Sequence, residues 1–213
     1  MPGLVHIVDD DVSFRAAMAR RLKQVGYDVV TYPSALHFLV NLPTESVPSC
    51  IILDARMPRL DGPALQKRLS ELGSTLPIIF LTGHRDIPAT VQAIKAGAHD
   101  FLTKPVAPDD LFRAIEDAVT HHRTIRDLKD KLASVRARLG RLTPRELQVF
   151  ELVIRGKKNR QIGAALGTTE RTIKAHRQKV MEKMQVQSFT ELVSLAERVG
   201  AAPTDSGQSH VIP

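Results

Sequence analysis

The 213-residue chain carries 30 Lys and Arg against 23 Asp and Glu, a formal net charge of +7, and 43% of its residues are hydrophobic. That apolar content can form a core, yet no run approaches the roughly 20 apolar residues of a membrane span. The start MPGLVHIVDD lacks a signal-peptide profile, so a cytoplasmic protein with no membrane partner is expected. The single cysteine, Cys50, excludes an internal disulfide. It precedes an apolar run and reads as a small buried hydrophobe. The charge is uneven: residues 1–121 hold 12 basic and 14 acidic side chains, residues 122–213 hold 18 and 9. All the excess positive charge lies in the second part, the pattern of a regulatory or catalytic first domain followed by a part that meets a polyanion.

Five short apolar runs come first: LVHIV, DVVTY, CIILD, PIIFLT and DFLTK. They are rich in β-branched residues, as buried parallel strands are. Amphipathic segments separate them, with Phe14, Met18, Leu22 and Val25, then Leu65, Leu69 and Leu72, then Ile87, Val91 and Ile94 at helical spacing. Gly26, Gly73 and Gly97 stand where left-handed C-caps are expected. Five such units predict an α/β fold, a doubly wound five-stranded parallel sheet whose ligands sit beyond the carboxyl ends of the strands.

Those ends carry Asp9, Asp10 and Asp11, then Asp54, then Thr82, then Lys104 followed by Pro105. Each has a bland alternative: Asp11 as a helix cap, Thr82 as a turn residue, Lys104 as a solvated strand end. The combination is harder to dismiss. Clustered carboxylates need a cation, and hard oxygen ligands favour Mg²⁺. A carboxylate beside that ion is a nucleophile for a phosphoryl group, with the Lys104 ammonium sharing the charge and the Thr82 hydroxyl donating to a phosphoryl oxygen. Asp54 is therefore the expected phosphate acceptor. No GxxxxGK[ST] loop is present, so the phosphoryl group must arrive from another protein or a small phosphodonor.

Residues 4 to about 120 resemble a response-regulator receiver domain, through Asp9-Asp10, Asp54 in LDARMP, Thr82 in FLTGH and FLTKP at 101–105, and the FixJ-like branch in particular through HIVDDD and TGHRDIP. The resemblance implies a flavodoxin-like receiver with Mg²⁺ on Asp10, Asp54 and the backbone carbonyl of Arg56, and with Asp9 acting through water. It further implies a cis Lys104–Pro105 bond. Phe101 matches the family's switch aromatic, which turns inward as Thr82 moves toward the phosphate; a plain core Phe is the alternative.

No glycine or proline occurs between Asp109 and Gly140. Ile125, Leu128, Leu132, Val135, Leu139 and Leu142 follow a spacing of 3, 4, 3, 4, 3, which is an a/d seam. The seam either pairs with a second chain or packs onto the chain's own domains. Thr143-Pro144-Arg145-Glu146 then forms a capping box with proline at the first helical position, and Leu147, Phe150 and Ile154 give that helix an apolar face. Asn159 is expected to cap a short helix ending at Gly167. A third helix runs from about Glu170 to Met184, buried through Ile173, Val180 and Met184, and Ser188 to Glu191 opens a fourth with Leu192, Leu195 and Val199. Short helix, glycine turn and basic helix form a helix-turn-helix. On the third helix Lys174 and Gln178, with Ala175 between them, face base edges, and Arg171, Arg177 and Lys179 face phosphates. His176 is either a packed histidine or a pH sensor. Residues 140–200 are similar to a LuxR-type DNA-binding domain, through LTPRE, GKKNRQIGAALG and RTIKAHRQKVMEKM.

The domains expected are a receiver at 1–120, a helical linker at 121–139, an all-α four-helix DNA-binding domain at 140–200 and a disordered tail at 201–213. The function expected is a phosphorylation-activated transcription regulator and no enzyme beyond its own aspartyl phosphorylation and dephosphorylation. Its partners would be a sensor histidine kinase, double-stranded promoter DNA, a second copy when phosphorylated, and RNA polymerase as a further candidate. Two rivals remain: an aspartyl-phosphate phosphohydrolase, which would need an acid where Arg56 stands, and a DNA-binding protein with a passive receiver-like dimerisation module.

Overall fold

A computed structural model describes residues 3–83 and 94–200. The helix expected around Ile87 and Val91 and the tail at 201–213 lie outside the described residues. The chain divides into two compact units, residues 1–127 and 128–213.

The first unit contains strands β1 (Leu4–Val8), β2 (Asp28–Tyr32), β3 (Ser49–Asp54), β4 (Ile78–Thr82) and β5 (Asp100–Thr103), with helices α1 (Val12–Gln24), α2 (Ala35–Val40) and α3 (Gly62–Glu71) between them. The strands form one parallel sheet in the order β2-β1-β3-β4-β5. The chain reverses direction across the sheet between β1 and β3, and this crevice is where a doubly wound sheet receives its ligand. Side-chain alternation along each strand feeds two cores. One face buries Val5, Ile7, Cys50, Ile52 and Leu81 under Met18 and Leu22 of α1. The other buries Ile51, Leu53 and Phe80 under Phe38 of α2 and Leu65 and Leu69 of α3. Cys50 is fully buried, and burial pushes its thiol up to about 12.

Two details depart from the sequence pattern. β2 is an edge strand and only Tyr32 of its five residues is buried, so its apolar run does not mark a central strand. Val25 and Leu72 continue their helical spacings but occupy C-cap positions and are exposed. Helix α2, capped by Ser34, is six residues long, too short for its apolar positions to show a helical period. Gly26, Gly73 and Gly97 all have positive φ.

Helix α4 (Pro108–Leu139) serves both units. Leu111, Ile115 and Ala118 belong to the receiver core, and Val135 belongs to the core of the second unit with Leu139 and Leu142 against it. The last part of the a/d seam is thus satisfied within its own domain, whereas Leu128 is 56% exposed.

The second unit adds α5 (Pro144–Ile154), α6 (Asn159–Ala165), α7 (Glu170–Met184) and α8 (Phe189–Arg198). Val149, Phe150, Val153, Ile162, Ile173 and Val180 meet in one core. Leu147, expected on the buried face of α5, is 40% exposed; Val149 and Val153 take that face. Gly163 sits where α6 turns toward α7: a Cβ there would lie 2.9 Å from the Thr168 carbonyl oxygen, so a side chain would push the two helices apart.

Candidate phosphoacceptor pocket and nucleic-acid interface

The register of the parallel strands puts the ends of β1 and β3 side by side, with Val8 opposite Leu53. Asp9 and Asp10 follow the one and Asp54 ends the other. Carboxylate oxygens of Asp9, Asp10 and Asp54 lie within 4.8 Å of one another, the one such cluster of potential metal ligands among the described residues. The three differ in surroundings. Asp9 is buried: one oxygen accepts from the Asp11 amide at 2.8 Å and the other from the Lys104 ammonium at 2.7 Å. Asp10 is exposed and Asp54 is half-buried. The two carboxylates open to a ligand are therefore Asp10 and Asp54.

Burial raises the Asp54 carboxyl above its ordinary value, with Asp9 and Asp10 adding to the rise. Lys104 and the Arg56 amide pull the other way. The Lys104 ammonium is 3.6 Å from Asp54 and also lies 4.1 Å from the centre of the Phe14 ring. A hydrated cation held by three carboxylates would relieve their repulsion, and hard oxygen donors that are partly solvated suit Mg²⁺. Thr82 is buried at the end of β4, and its carbonyl accepts from the Lys104 amide at 2.6 Å. The Lys104–Pro105 bond is cis. Phe101 is half-buried, its ring 6.3 Å from that of Phe80 in the core under α2 and α3.

Three contributors carry no signal in the sequence pattern. Arg15, one turn into α1, donates to the Asp9 carbonyl at 2.5 Å and holds the acidic loop to the helix. Phe14 reads as a plain apolar helix position until Lys104 is placed over it. Gly62, at the start of α3, has its amide on the Ala55 carbonyl at 3.1 Å, and a Cβ there would sit 2.7 Å from the Asp54 carbonyl oxygen. Asp11 caps α1 by accepting from the Phe14 amide, as its bland alternative had it.

In the second unit, Arg171, Lys174, Ala175, Gln178 and Lys179 form an exposed strip on α7. Arg177 is half-buried: its guanidinium donates to Asn159 at 3.1 Å and lies over the Phe189 ring at 5.9 Å. Asn159 is accordingly not the cap expected of it. It is the first residue of α6, whose start is instead closed by Gln161 accepting from the Lys158 amide. The Thr143–Glu146 capping box is complete. Glu146 also takes the Lys183 ammonium at 2.6 Å, and these contacts hold its carboxyl down at about 2. The second box is half formed, since Glu191 accepts from the Gln187 amide while Ser188 caps Glu191. His176 is half-buried and its Nδ1 has no hydrogen-bond partner.

Comparison with known proteins identifies the family of each unit. Residues 5–116 match the response regulator receiver domain, and residues 140–196 match the bacterial regulatory proteins of the luxR family. Nodulation protein W of Bradyrhizobium diazoefficiens is 38% identical over 98% of this chain and 92% of its own length. Transcriptional regulatory protein FixJ of the same organism is 39% identical over 93% of this chain and 96% of its own. Among solved structures, response regulator StyR (39% identity, TM-score 0.85) is matched over 92% of this chain and 98% of its own, and full-length FixJ from B. japonicum (39%, 0.57) over 93% and 97%. The chain belongs to the two-component response regulators that join a receiver domain to a luxR-family DNA-binding domain and regulate transcription.

Proposed function

We propose that Asp54 is the phosphoacceptor of this regulator. The observation that carries the reading is the half-buried Asp54 carboxylate, grouped with Asp9 and Asp10 and 3.6 Å from Lys104. Asp10 and Asp54, with the Arg56 carbonyl and with Asp9 through water, would hold Mg²⁺, which when bound neutralises charge on the transferring phosphoryl group. An Asp54 oxygen attacks the phosphorus of a phosphohistidine on a sensor kinase; the P–N bond breaks as the O–P bond forms, and the imidazole leaves. Lys104 then exchanges part of its contact with Asp9 for the new phosphoryl oxygen. The Thr82 hydroxyl donates to another, and Phe101 turns into the space that Thr82 vacates. The same residues would catalyse loss of the phosphoryl group to water.

Phosphorylation would favour a homodimer and present two α7 helices to half-sites of promoter DNA about one helical turn apart. Lys174, Ala175 and Gln178 would meet base edges, and Arg171 and Lys179 phosphates. Arg177, occupied by Asn159, would act by holding α7 on α6 while its charge faces the backbone. RNA polymerase is a further partner at such a promoter, and the cytoplasm is the compartment; no helix among the described residues is long and apolar enough to cross a membrane. The test is acid-labile labelling of the full chain by a small acyl phosphate, with Mg²⁺ or with EDTA, followed by a DNA-binding titration. Label that requires Mg²⁺ and disappears in Asp54→Asn, together with tighter DNA binding by the labelled protein, is the expected result. Undiminished labelling of Asp54→Asn would move the acceptor elsewhere, and labelling without an effect on DNA affinity would leave the receiver a passive module.

A further inference from the structure

At the opposite end of the receiver sheet from Asp54, the loop into β5 and helix α4 bring two histidines together. The rings of His99 and His121 have centroids 5.3 Å apart and planes 37° apart. They line a cleft of about 380 Å³ with Ser74, Thr75 and Ile125. His99 is half-buried and His121 is exposed. The next residue, His122, explains why His121 faces this way. It is fully buried, and its Nδ1 accepts from the Ser49 amide at 2.9 Å. With that ring anchored at the start of β3, the helix cannot rotate, and His121, about 100° away around it, is left pointing at His99.

We propose that His99 and His121 form a transition-metal site, with water completing the coordination, for a borderline divalent ion of the Zn²⁺ type. The centroid separation allows one shared ion. A Zn–N bond of about 2.0–2.1 Å puts each imidazole centroid ~3.2 Å from the metal, and a tetrahedral angle then separates the centroids by ~5.2 Å. Two imidazoles select Zn²⁺, Ni²⁺ or Cu²⁺ over Mg²⁺, which separates this site from the carboxylate pocket. A bound ion would clamp the β5 end of the receiver to α4.

The experiment is a calorimetric Zn²⁺ titration of the full-length chain in saturating Mg²⁺, repeated for His99→Ala and His121→Ala, with Cu²⁺ electron paramagnetic resonance as a second readout. One equivalent of Zn²⁺ should bind, and loss of either histidine should weaken it by ~10-fold or more. The Cu²⁺ spectrum should show nitrogen coupling that both alanine variants reduce, and unaltered circular dichroism of the variants would show that the fold persists. Zn²⁺ binding that survives both histidine substitutions, or no binding to the wild type, would overturn the site. Because Mg²⁺ is saturating and Asp54 is untouched, the result does not depend on the phosphoacceptor reading.

Discussion

The ammonium of Lys104 lies 2.7 Å from an oxygen of Asp9, a residue 95 positions earlier in the chain. Asp9 is buried and its other oxygen is occupied by the Asp11 amide, so Lys104 is the cation that balances its charge. Removing one member of a buried pair strands the other, which costs more than the pair contributes. Lys104→Met should destabilise the receiver by about 2–3 kcal/mol, below the usual range for buried pairs because the Lys104 head is partly solvated. Urea unfolding followed by circular dichroism in EDTA checks this. An unchanged midpoint would mean that solvent already compensates Asp9.

Asp54 should behave in the opposite way. Its carboxyl is raised by burial first, so the ionised form is disfavoured in the folded state. A raised acid contributes stability that is fully present below its unfolded value of 3.8 and is lost as the pH rises through the folded value. At pH 7 without Mg²⁺, Asp54→Asn should therefore melt higher than the wild type, by about 2–4 °C. The difference should narrow when Mg²⁺ is added to the wild type and as the pH approaches 4. Thermal melts in EDTA and in Mg²⁺ make the comparison, and a lower melting point for the variant in EDTA contradicts it.

His6 sets an acid limit on the sheet. It is buried on β1, its Nδ1 3.2 Å from the Tyr32 hydroxyl, and burial with the nearby His122 lowers it from 6.5 to about 4. A depressed base is bound neutral, so its contribution is present above 6.5 and is lost as the pH falls toward 4. The shift corresponds to roughly 3 kcal/mol. Urea midpoints should fall over this window in the wild type and flatten in His6→Phe. Parallel pH curves would show that protonation there is tolerated.

On α7, Lys179→Ala should weaken binding to specific and random duplexes equally and reduce the salt slope by about one unit, as loss of a phosphate contact does. Lys174→Ala should instead cost about 1–3 kcal/mol mainly on the specific site. Titrations at several salt concentrations separate the two, and equal losses on both duplexes would demote Lys174 to a phosphate contact.

The strand runs, the glycine caps and the order of Asp9, Asp10, Asp54, Thr82 and Lys104 are local or topological facts, so they are legible along the chain. Parallel strands joined by crossovers must bring their carboxyl ends together, and chemistry placed at those ends converges without any knowledge of packing. The helix-turn-helix is legible for the same reason, since caps and period are short-range. What Arg177 does is decided by Asn159, 18 residues away, and what Lys183 does by Glu146, 37 residues away. Both side chains are basic positions on a basic helix, and nothing in their spacing tells a phosphate contact from an intramolecular one. Leu147, Val25 and Leu72 fit an apolar period, yet burial depends on which neighbour covers the face. The exposed edge at β2 and the meeting of His99 with His121 likewise follow from strand order and helix rotation. Those are set by the packing of the whole domain, because side chains distant in sequence compete for the same buried space.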